Sequence, residues 1–180
     1  SSTAALASGG AKASGSPPVV ANTELWNGTN WTETTDINVT RYIGATANTG
    51  TTSSAINFAG TTPPGSGVTD TEEWTGAGAA VGAWSTGGNL NTARYALNTG
   101  GAGTQTAGLV FGGITPPLSA LTESYDGTTW TEVNDLNTAR YALGGAGATN
   151  TAALAFGGDN PPKNETELWN GTNWTEVNNL

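Results

Sequence analysis

Short apolar runs alternate with polar, turn-forming segments along the whole chain, and each run closes on glycine. The runs occur four times, as TAALASGG, SAINFAG, AGLVFGG and AALAFGG. Apolar runs of about four to eight residues bounded by turn signals favour buried strands. Nowhere do apolar residues recur at the i, i+3, i+4, i+7 spacing of an amphipathic helix. The pattern predicts an all-β protein with essentially no helix.

A longer segment, TELWNGTNWTE, is repeated without change at Thr23–Glu33 and Thr166–Glu176. Both of its aromatic positions also recur between these two copies. The first aromatic position holds Trp26, Trp74, Tyr125 and Trp169. The second holds Trp31, Trp84, Trp130 and Trp174. Ten residues after the first three of these tryptophans stands an Arg-Tyr pair, beginning at Arg41, Arg94 and Arg140. The chain therefore contains four copies of one unit.

The residue pattern of each unit predicts four short strands. The first strand is rich in small residues and starts at the arginine, and the second is the apolar run. The third and fourth strands flank the turn of the repeated TELWNGTNWTE segment. That turn is Asn-Gly or Asp-Gly in three units, which suits a tight hairpin, whereas the second unit has the longer loop TGAGAAVGA. A Pro-Pro pair follows each apolar run and ends strand pairing there. The pairs are Pro17-Pro18, Pro63-Pro64, Pro116-Pro117 and Pro161-Pro162.

Four strands in a repeat whose tryptophans are 53, 46 and 44 residues apart are typical of a β-propeller blade. The predicted fold is one propeller domain over residues 1–180, with blades at approximately 1–37, 41–90, 94–136 and 140–180. The first blade lacks its innermost strand. We expect the small-residue strands to line the crowded centre, and the tryptophans to fill the wedge between blades at the rim.

The amino-acid composition argues against several classes of partner and of catalytic or metal site. Five basic residues against fourteen acidic ones give a net charge of −9, which argues against a nucleic-acid partner. No run of about 18 apolar residues is present, so no membrane insertion is predicted. The chain has no Cys and no His, which removes serine-hydrolase triads and most zinc or copper sites. We predict no catalytic residues, no metal and no cofactor.

The order of signature residues resembles the Kelch repeat, the blade of Kelch and galactose-oxidase-like propellers. The fourth copy carries the full pattern at Arg140, Gly157-Gly158, Glu167, Trp169-Asn170 and Trp174. The second unit departs from it, with Ala59-Gly60 in place of Gly-Gly. The resemblance implies blade architecture, and it leaves function open among scaffolds, adhesins and occasional enzymes.

The nearly identical copies rich in Thr, Asn, Gly and Ala are also similar to Kelch-like repeats in structural and tail-fibre proteins of bacteriophages. That likeness implies a non-enzymatic structural and recognition module on a virion, extracellular, with host-surface glycans or neighbouring virion proteins as partners. Two alternatives stay open: a carbohydrate-acting enzyme of the galactose-oxidase-like type, and an intracellular Kelch-type protein-interaction scaffold.

Two charged series recur once per unit. The arginines, Arg41, Arg94 and Arg140, could bind an anionic ligand at one mouth of the propeller, but their repetition favours capping of carbonyls or stacking on an aromatic. The carboxylates are Glu24, Glu72, Glu123 and Glu167. They could serve as an acid and base pair or hold Ca²⁺, yet one Glu at the same register of every unit favours a structural or solvated role.

Aromatic and polar residues of the outer hairpins are the candidate binding residues. They are Trp26, Asn27, Trp74, Tyr125, Asp126, Trp169 and Asn170. Where such a ring is exposed beside an amide, it can stack on a sugar. The competing interpretation, which the general burial of large aromatics favours, is that these rings pack between blades.

The last unit stops before its expected Arg-Tyr pair, and the first begins at a second strand. We expect the native polypeptide to extend past both ends, as part of a larger propeller, or a second chain to complete the ring.

Overall fold

The computed structural model describes residues 4–12, 19–42, 44–46, 51–76, 82–97, 100–159 and 161–180. These ranges hold seventeen strands and no helix, so the all-β prediction is confirmed. No helix able to cross a membrane is found among them. The Pro17-Pro18 pair and the middle of the TGAGAAVGA loop lie outside the described residues.

The strands form four main antiparallel sheets, numbered here in chain order. Sheet 1 has three strands, β1 (Ala5–Ala11), β2 (Val19–Trp26) and β3 (Trp31–Thr34). Sheet 2 has four, β4 (Ala45–Thr46), β5 (Ser54–Phe58), β8 (Thr71–Thr75) and β9 (Ala83–Thr86). Between β5 and β8 a small separate hairpin consists of β6 (Thr61–Thr62) and β7 (Ser66–Gly67), with Pro63 and Pro64 in its turn.

Sheets 3 and 4 repeat the four-stranded pattern. Sheet 3 consists of β10 (Gly101–Thr104), β11 (Ala107–Phe111), β12 (Thr122–Tyr125) and β13 (Trp130–Val133). Sheet 4 consists of β14 (Gly144–Thr149), β15 (Ala152–Phe156), β16 (Thr166–Trp169) and β17 (Trp174–Val177). In every main sheet the spatial order of the strands follows the chain, because each strand pairs antiparallel with the next strand of that sheet.

The small-residue strands lie beside one another. Strand β10 contacts both β4 and β14, which belong to the sheets on either side of it. Glycine and alanine allow this close approach, since a side chain on Gly101 would meet the Phe58 ring and the carbonyl of Thr46 within 3.2 Å. Sheets 2, 3 and 4 therefore converge at their first strands.

A separate apolar cluster fills each space between consecutive sheets. The cluster between sheets 2 and 3 contains Ile56, Phe58, Val110, Tyr125 and Trp130, all at most 5% exposed. Comparable clusters lie between sheets 1 and 2 and between sheets 3 and 4. The core is thus divided into layers between sheets, as repeated units that bury their faces against neighbours require.

The apolar second strands differ in burial according to their neighbours. In β5 and β11 most residues on both faces are buried, whereas β15 alternates between buried and exposed positions. Sheets 2 and 3 are each packed on two sides, but one face of sheet 4 is open. The same kind of sequence therefore produces two burial patterns.

The Arg-Tyr pairs do not begin the first strands, contrary to the sequence prediction. Each pair lies in the linker that runs from one sheet to the next, several residues before the small-residue strand. Tyr95, for example, forms an isolated bridge with Ile114, and Arg94 forms one with Val68. These bridges join the linker between sheets 2 and 3 to segments of both sheets before strand β10 begins.

Candidate functional site

Three of the four candidate aromatic rings are covered. Trp74 and Tyr125 are fully buried and Trp169 is 1% exposed. The Trp74 and Trp169 indoles donate to the carbonyls of Thr52 and Asn150 in their own sheets. These rings present no face to a sugar, because they pack in the apolar layers between sheets. Trp26 differs, since it lies on the open face of sheet 1 and is half-buried.

The polar candidates beside those rings are exposed and build the hairpin turns. The side-chain oxygen of Asn27 accepts hydrogen bonds from the backbone N–H groups of Thr29 and Asn30, both at 2.9 Å. Asp126 and Asn170 do the same in their own hairpins. The glycine that follows has φ near +90° in all three turns, where glycine is the residue without a steric penalty. The predicted tight turns are therefore present.

Hydrogen bonds from the backbone N–H groups of Thr129 and Thr128 lower the pKa of Asp126 below its ordinary value. Because the folded state holds the proton less tightly than the unfolded chain, this carboxylate stabilises the fold above the unfolded pKa of about 4. That contribution is lost as the pH falls through the folded pKa. The amides of Asn27 and Asn170 accept the same bonds without titrating.

We expect Asp126→Asn to flatten the dependence of the unfolding free energy on pH between about pH 5 and pH 2, by up to one proton in slope. Urea denaturation at a series of pH values measures this. The matched variant Asn27→Asp should add a similar slope in sheet 1. Equal slopes for wild type and both variants would contradict the assignment.

Each buried arginine is neutralised by a glutamate in the third strand of the sheet that follows its linker. In sheet 3, the Arg94 guanidinium forms an ion pair with Glu123 and also donates to the carbonyl of Leu121 at 2.7 Å. The backbone and side-chain amides of Asn91 donate to the other carboxylate oxygen at 2.7 and 2.8 Å. Burial lowers the pKa of Arg94, and Glu123 opposes that change. The arginine therefore remains the charged partner of a satisfied carboxylate.

The same cluster occurs in sheets 2 and 4. The ion pairs there are Arg41 with Glu72 at 2.6 Å and Arg140 with Glu167 at 2.9 Å, and all four side chains are at most 2% exposed. An asparagine in the linker, Asn38 or Asn137, completes each cluster. Glu24 holds the corresponding place in sheet 1 and is exposed. In these three clusters neither the arginine nor the glutamate is exposed to solvent. The clusters therefore hold each linker against the sheet that follows it.

A tryptophan in the last strand of each of sheets 2, 3 and 4 joins that sheet to the sheet before it. The indole N–H of Trp84 donates to the hydroxyl of Thr23 at 2.9 Å, and Trp130 donates to Thr71 at the same distance. Trp174 donates to Thr122 at 3.0 Å. All three tryptophans are at most 7% exposed. Trp31 is the exception at 49% exposed, because none of the sheets in the described ranges lies against its face.

Polar bonds also cross between sheets 2 and 3. The Tyr125 hydroxyl donates to the Glu73 carboxylate at 2.5 Å, and Gln105 donates to the carbonyl of Trp74 at 3.3 Å. Burial, reinforced by the negative charge of Glu73, raises the pKa of Tyr125. The hydroxyl is therefore a donor to the Glu73 carboxylate across the space between sheets 2 and 3.

A groove of about 550 Å³, here called the Tyr95 groove, opens between sheets 2 and 3 on the side of the linkers. It is lined by Gly65–Gly67, Asn91–Ala93, Tyr95 and Ile114–Pro116. Tyr95 is half-buried, and its ring lies over the backbone of Gly67, where an added Cβ would be 3.2 Å from the ring. The groove therefore combines a partly exposed ring with proline, threonine and amide groups.

An equivalent groove of about 360 Å³ lies between sheets 1 and 2. Its lining includes Lys12, Val19, Tyr42 and Pro63–Gly65. Tyr42 follows Arg41 as Tyr95 follows Arg94, so the two grooves are repeats of one structural feature. Sequence reasoning did not select these tyrosines, although their constant place after the arginine was visible.

The described residues offer no cluster of three or more acidic side chains arranged to hold a metal ion. They define an all-β protein built from several antiparallel sheets. No family model matches the chain, and no curated protein matches it. A solved structure of YjhT matches it with a TM-score of 0.68 and 13% sequence identity, over 89% of this chain and 53% of YjhT. At that identity the similarity shows the fold alone, and the chain spans about half the length of YjhT.

Proposed function

We propose that the four sheets are blades of a Kelch-like β-propeller, as part of a larger ring. The convergence of β4, β10 and β14 supports a common centre. The tryptophans at the opposite edge of each sheet fill the space where blades would diverge. The Arg-Glu clusters add support, since they recur at the same place in three sheets and use the residues on which the Kelch resemblance rests.

In this proposal the chain is a non-enzymatic structural and recognition module, carried on the outside of a virion such as a phage tail fibre, baseplate or decoration protein. Its partner is a host-surface glycan, and neighbouring virion proteins hold it in place. The observation that carries the recognition role is the repeated tyrosine groove, found between sheets 1 and 2 and again between sheets 2 and 3.

The lining of the grooves fits a carbohydrate. A tyrosine ring supplies a flat apolar face with a polar edge, and the side-chain carbonyl of Asn91 and the hydroxyls of Thr92 and Thr115 supply polar groups around Tyr95. Pockets of this kind use a few polar groups to orient a ligand held on apolar surface. The net charge of −9 favours a neutral or basic sugar over an acidic one.

The carboxylates support the non-enzymatic reading over a galactose-oxidase-like enzyme. Glu72, Glu123 and Glu167 each accept bonds from an arginine and from an asparagine, and each is at most 1% exposed. A general acid or base needs to reach its substrate, and these three groups are enclosed. They serve the attachment of linkers to sheets.

A glycan array probed with the wild-type chain, Tyr95→Ala and Tyr95→Phe tests this function. We expect wild type to bind one class of glycan and Tyr95→Ala to bind it roughly tenfold more weakly, a change of about 1.4 kcal/mol. Tyr95→Phe keeps the ring and should retain most of the affinity. Absence of binding to any glycan, or equal binding by Tyr95→Ala, would refute glycan recognition by this groove. Release of a cleaved or oxidised sugar would favour the enzyme alternative.

A further inference from the structure

Every space between consecutive sheets is filled by the same two complementary faces. One face presents a pair of aromatic rings from the third and fourth strands, and the other presents an aliphatic side chain of the second strand, which is Leu6, Ile56 or Leu109. Between sheets 1 and 2, Trp74 and Trp84 of sheet 2 lie in one cluster with Leu6, Leu25 and Ile37 of sheet 1 and its linker. We call these the tryptophan face and the leucine face.

A hydrogen bond fixes the register of the two faces. The donor is the indole of the fourth-strand tryptophan, and the acceptor is the hydroxyl of the threonine that begins the TELW segment in the preceding sheet. This bond is present in all three spaces, from Trp84 to Thr23, from Trp130 to Thr71 and from Trp174 to Thr122. The geometry is therefore a property of the repeat.

Sheet 4 presents an uncovered leucine face. Leu154 and Leu168 are cross-strand neighbours, as Leu6 and Leu25 are in sheet 1. They are 37% and 43% exposed. Thr166 corresponds to Thr23, and its hydroxyl is buried without a hydrogen-bond partner among the described residues. The Thr166 hydroxyl is therefore positioned as an acceptor, but within the described residues no tryptophan indole donates to it.

Sheet 1 presents an uncovered tryptophan face. The rings of Trp26 and Trp31 are 5.5 Å apart, the same separation as Trp74 and Trp84 have where they pack against sheet 1. Trp31 corresponds to Trp84, Trp130 and Trp174, yet it is 49% exposed. Its indole is the donor that would complete the series.

We infer that the chain associates head to tail with a second copy of itself, the tryptophan face of sheet 1 docking on the leucine face of sheet 4. Trp31 of one copy then donates to Thr166 of the next. The occupant is specified by the sequence, because Thr166–Glu176 is identical to Thr23–Glu33 and the Thr23–Leu25 surface already receives a tryptophan pair within the chain. Neither face matches itself, so the contact is heterologous.

Association between single-face variants tests the inference. Trp31→Ala removes the tryptophan face and Leu154→Glu places a charge on the leucine face, at a position where the equivalent Ile56 and Leu109 are fully buried. Each variant alone should sediment as one chain of 18.0 kDa. Their equimolar mixture should form a species of twice that mass, because each supplies the face that the other lacks. Wild type should form species larger than one chain at about 100 µM.

Two further variants complete the design. Thr166→Val removes only the acceptor and should weaken wild-type association about tenfold, without perturbing folding. Thr128→Glu adds the same charge as Leu154→Glu at an exposed turn of sheet 3, and should associate like wild type. Circular dichroism establishes that every variant is folded.

The inference fails if wild type remains a single chain at about 100 µM, if Trp31→Ala still self-associates, or if the two folded single-face variants do not combine. It stands independently of glycan recognition, because the faces and the tyrosine grooves are different surfaces. Loss of glycan binding with intact association, or the reverse, separates the two proposals.

Discussion

Replacing Arg94 by leucine is expected to reduce the free energy of unfolding by about 3–5 kcal/mol, measured by urea denaturation. The substitution leaves the Glu123 carboxylate buried at 1% exposure without its cation. The carbonyl of Leu121 also loses one of its two donors and keeps the backbone N–H of Gly112. Since single domains have only about 5–15 kcal/mol of stability, a reduced yield of folded protein is expected as well.

The surface ion pair between Lys163 and Glu165 is the matched control. Its side chains are 25% exposed and its N–O distance is 3.4 Å, so Lys163→Ala should reduce the stability far less than Arg94→Leu does. An Arg94→Leu variant as stable as Lys163→Ala would show that the buried cluster contributes nothing to holding the linker on sheet 3.

Replacing Trp130 by alanine is expected to cost about 3–5 kcal/mol, because the ring fills the space between sheets 2 and 3. It lies 5.0 Å from the Phe58 ring and 4.8 Å from Tyr125, and it donates the hydrogen bond to Thr71. Removal leaves a cavity, an unpaired buried hydroxyl and a loss of aromatic contacts. Thermal unfolding followed by circular dichroism measures the loss.

Trp31 supplies the control, since it holds the same place in the repeat but is 49% exposed. Measured in dilute solution, where one copy stands alone, Trp31→Ala should cost about 1 kcal/mol or less. Equal losses for Trp31→Ala and Trp130→Ala would mean that the tryptophans act within their own hairpins and not between sheets.

The repeat made the sheets predictable. The constant order of small-residue strand, apolar run and aromatic hairpin predicted four strands per unit and three in the first, and the sheets have those strands in that order. Turn chemistry was equally local, since Asn-Gly and Asp-Gly at the hairpins specify positive φ at glycine. Local sequence patterns were therefore sufficient to predict the strand order and the hairpin turns.

The pairing of the two charged series was not predicted, because it depends on how far apart strands lie in space. Arg94 and Glu123 are 29 residues apart, and the other two pairs are 31 and 27 residues apart. Each residue looked like an independent feature of its unit. The near-constant separation was the signal that could have joined them, since opposite charges repeated at one spacing favour a buried pair.

The residues that line the candidate binding grooves differ from those predicted from the sequence, for a related reason. The sequence drew attention to the large aromatics of the outer hairpins, but Trp74, Tyr125 and Trp169 are needed as packing between sheets. Tyr42 and Tyr95 are less conspicuous in the sequence, and they line the grooves only because the linker brings them against a turn of the neighbouring sheet. Exposure is a tertiary property that residue type does not specify.

Hydrogen exchange at the indole N–H groups, observed by NMR on the chain with ¹⁵N-labelled tryptophan, measures whether repeated tryptophan contacts hold the sheets against one another. We expect Trp84, Trp130 and Trp174 to exchange as slowly as the backbone amides of the central strands, because global unfolding is needed to expose them. Rapid exchange at these three indoles, with the strand amides still protected, would contradict it.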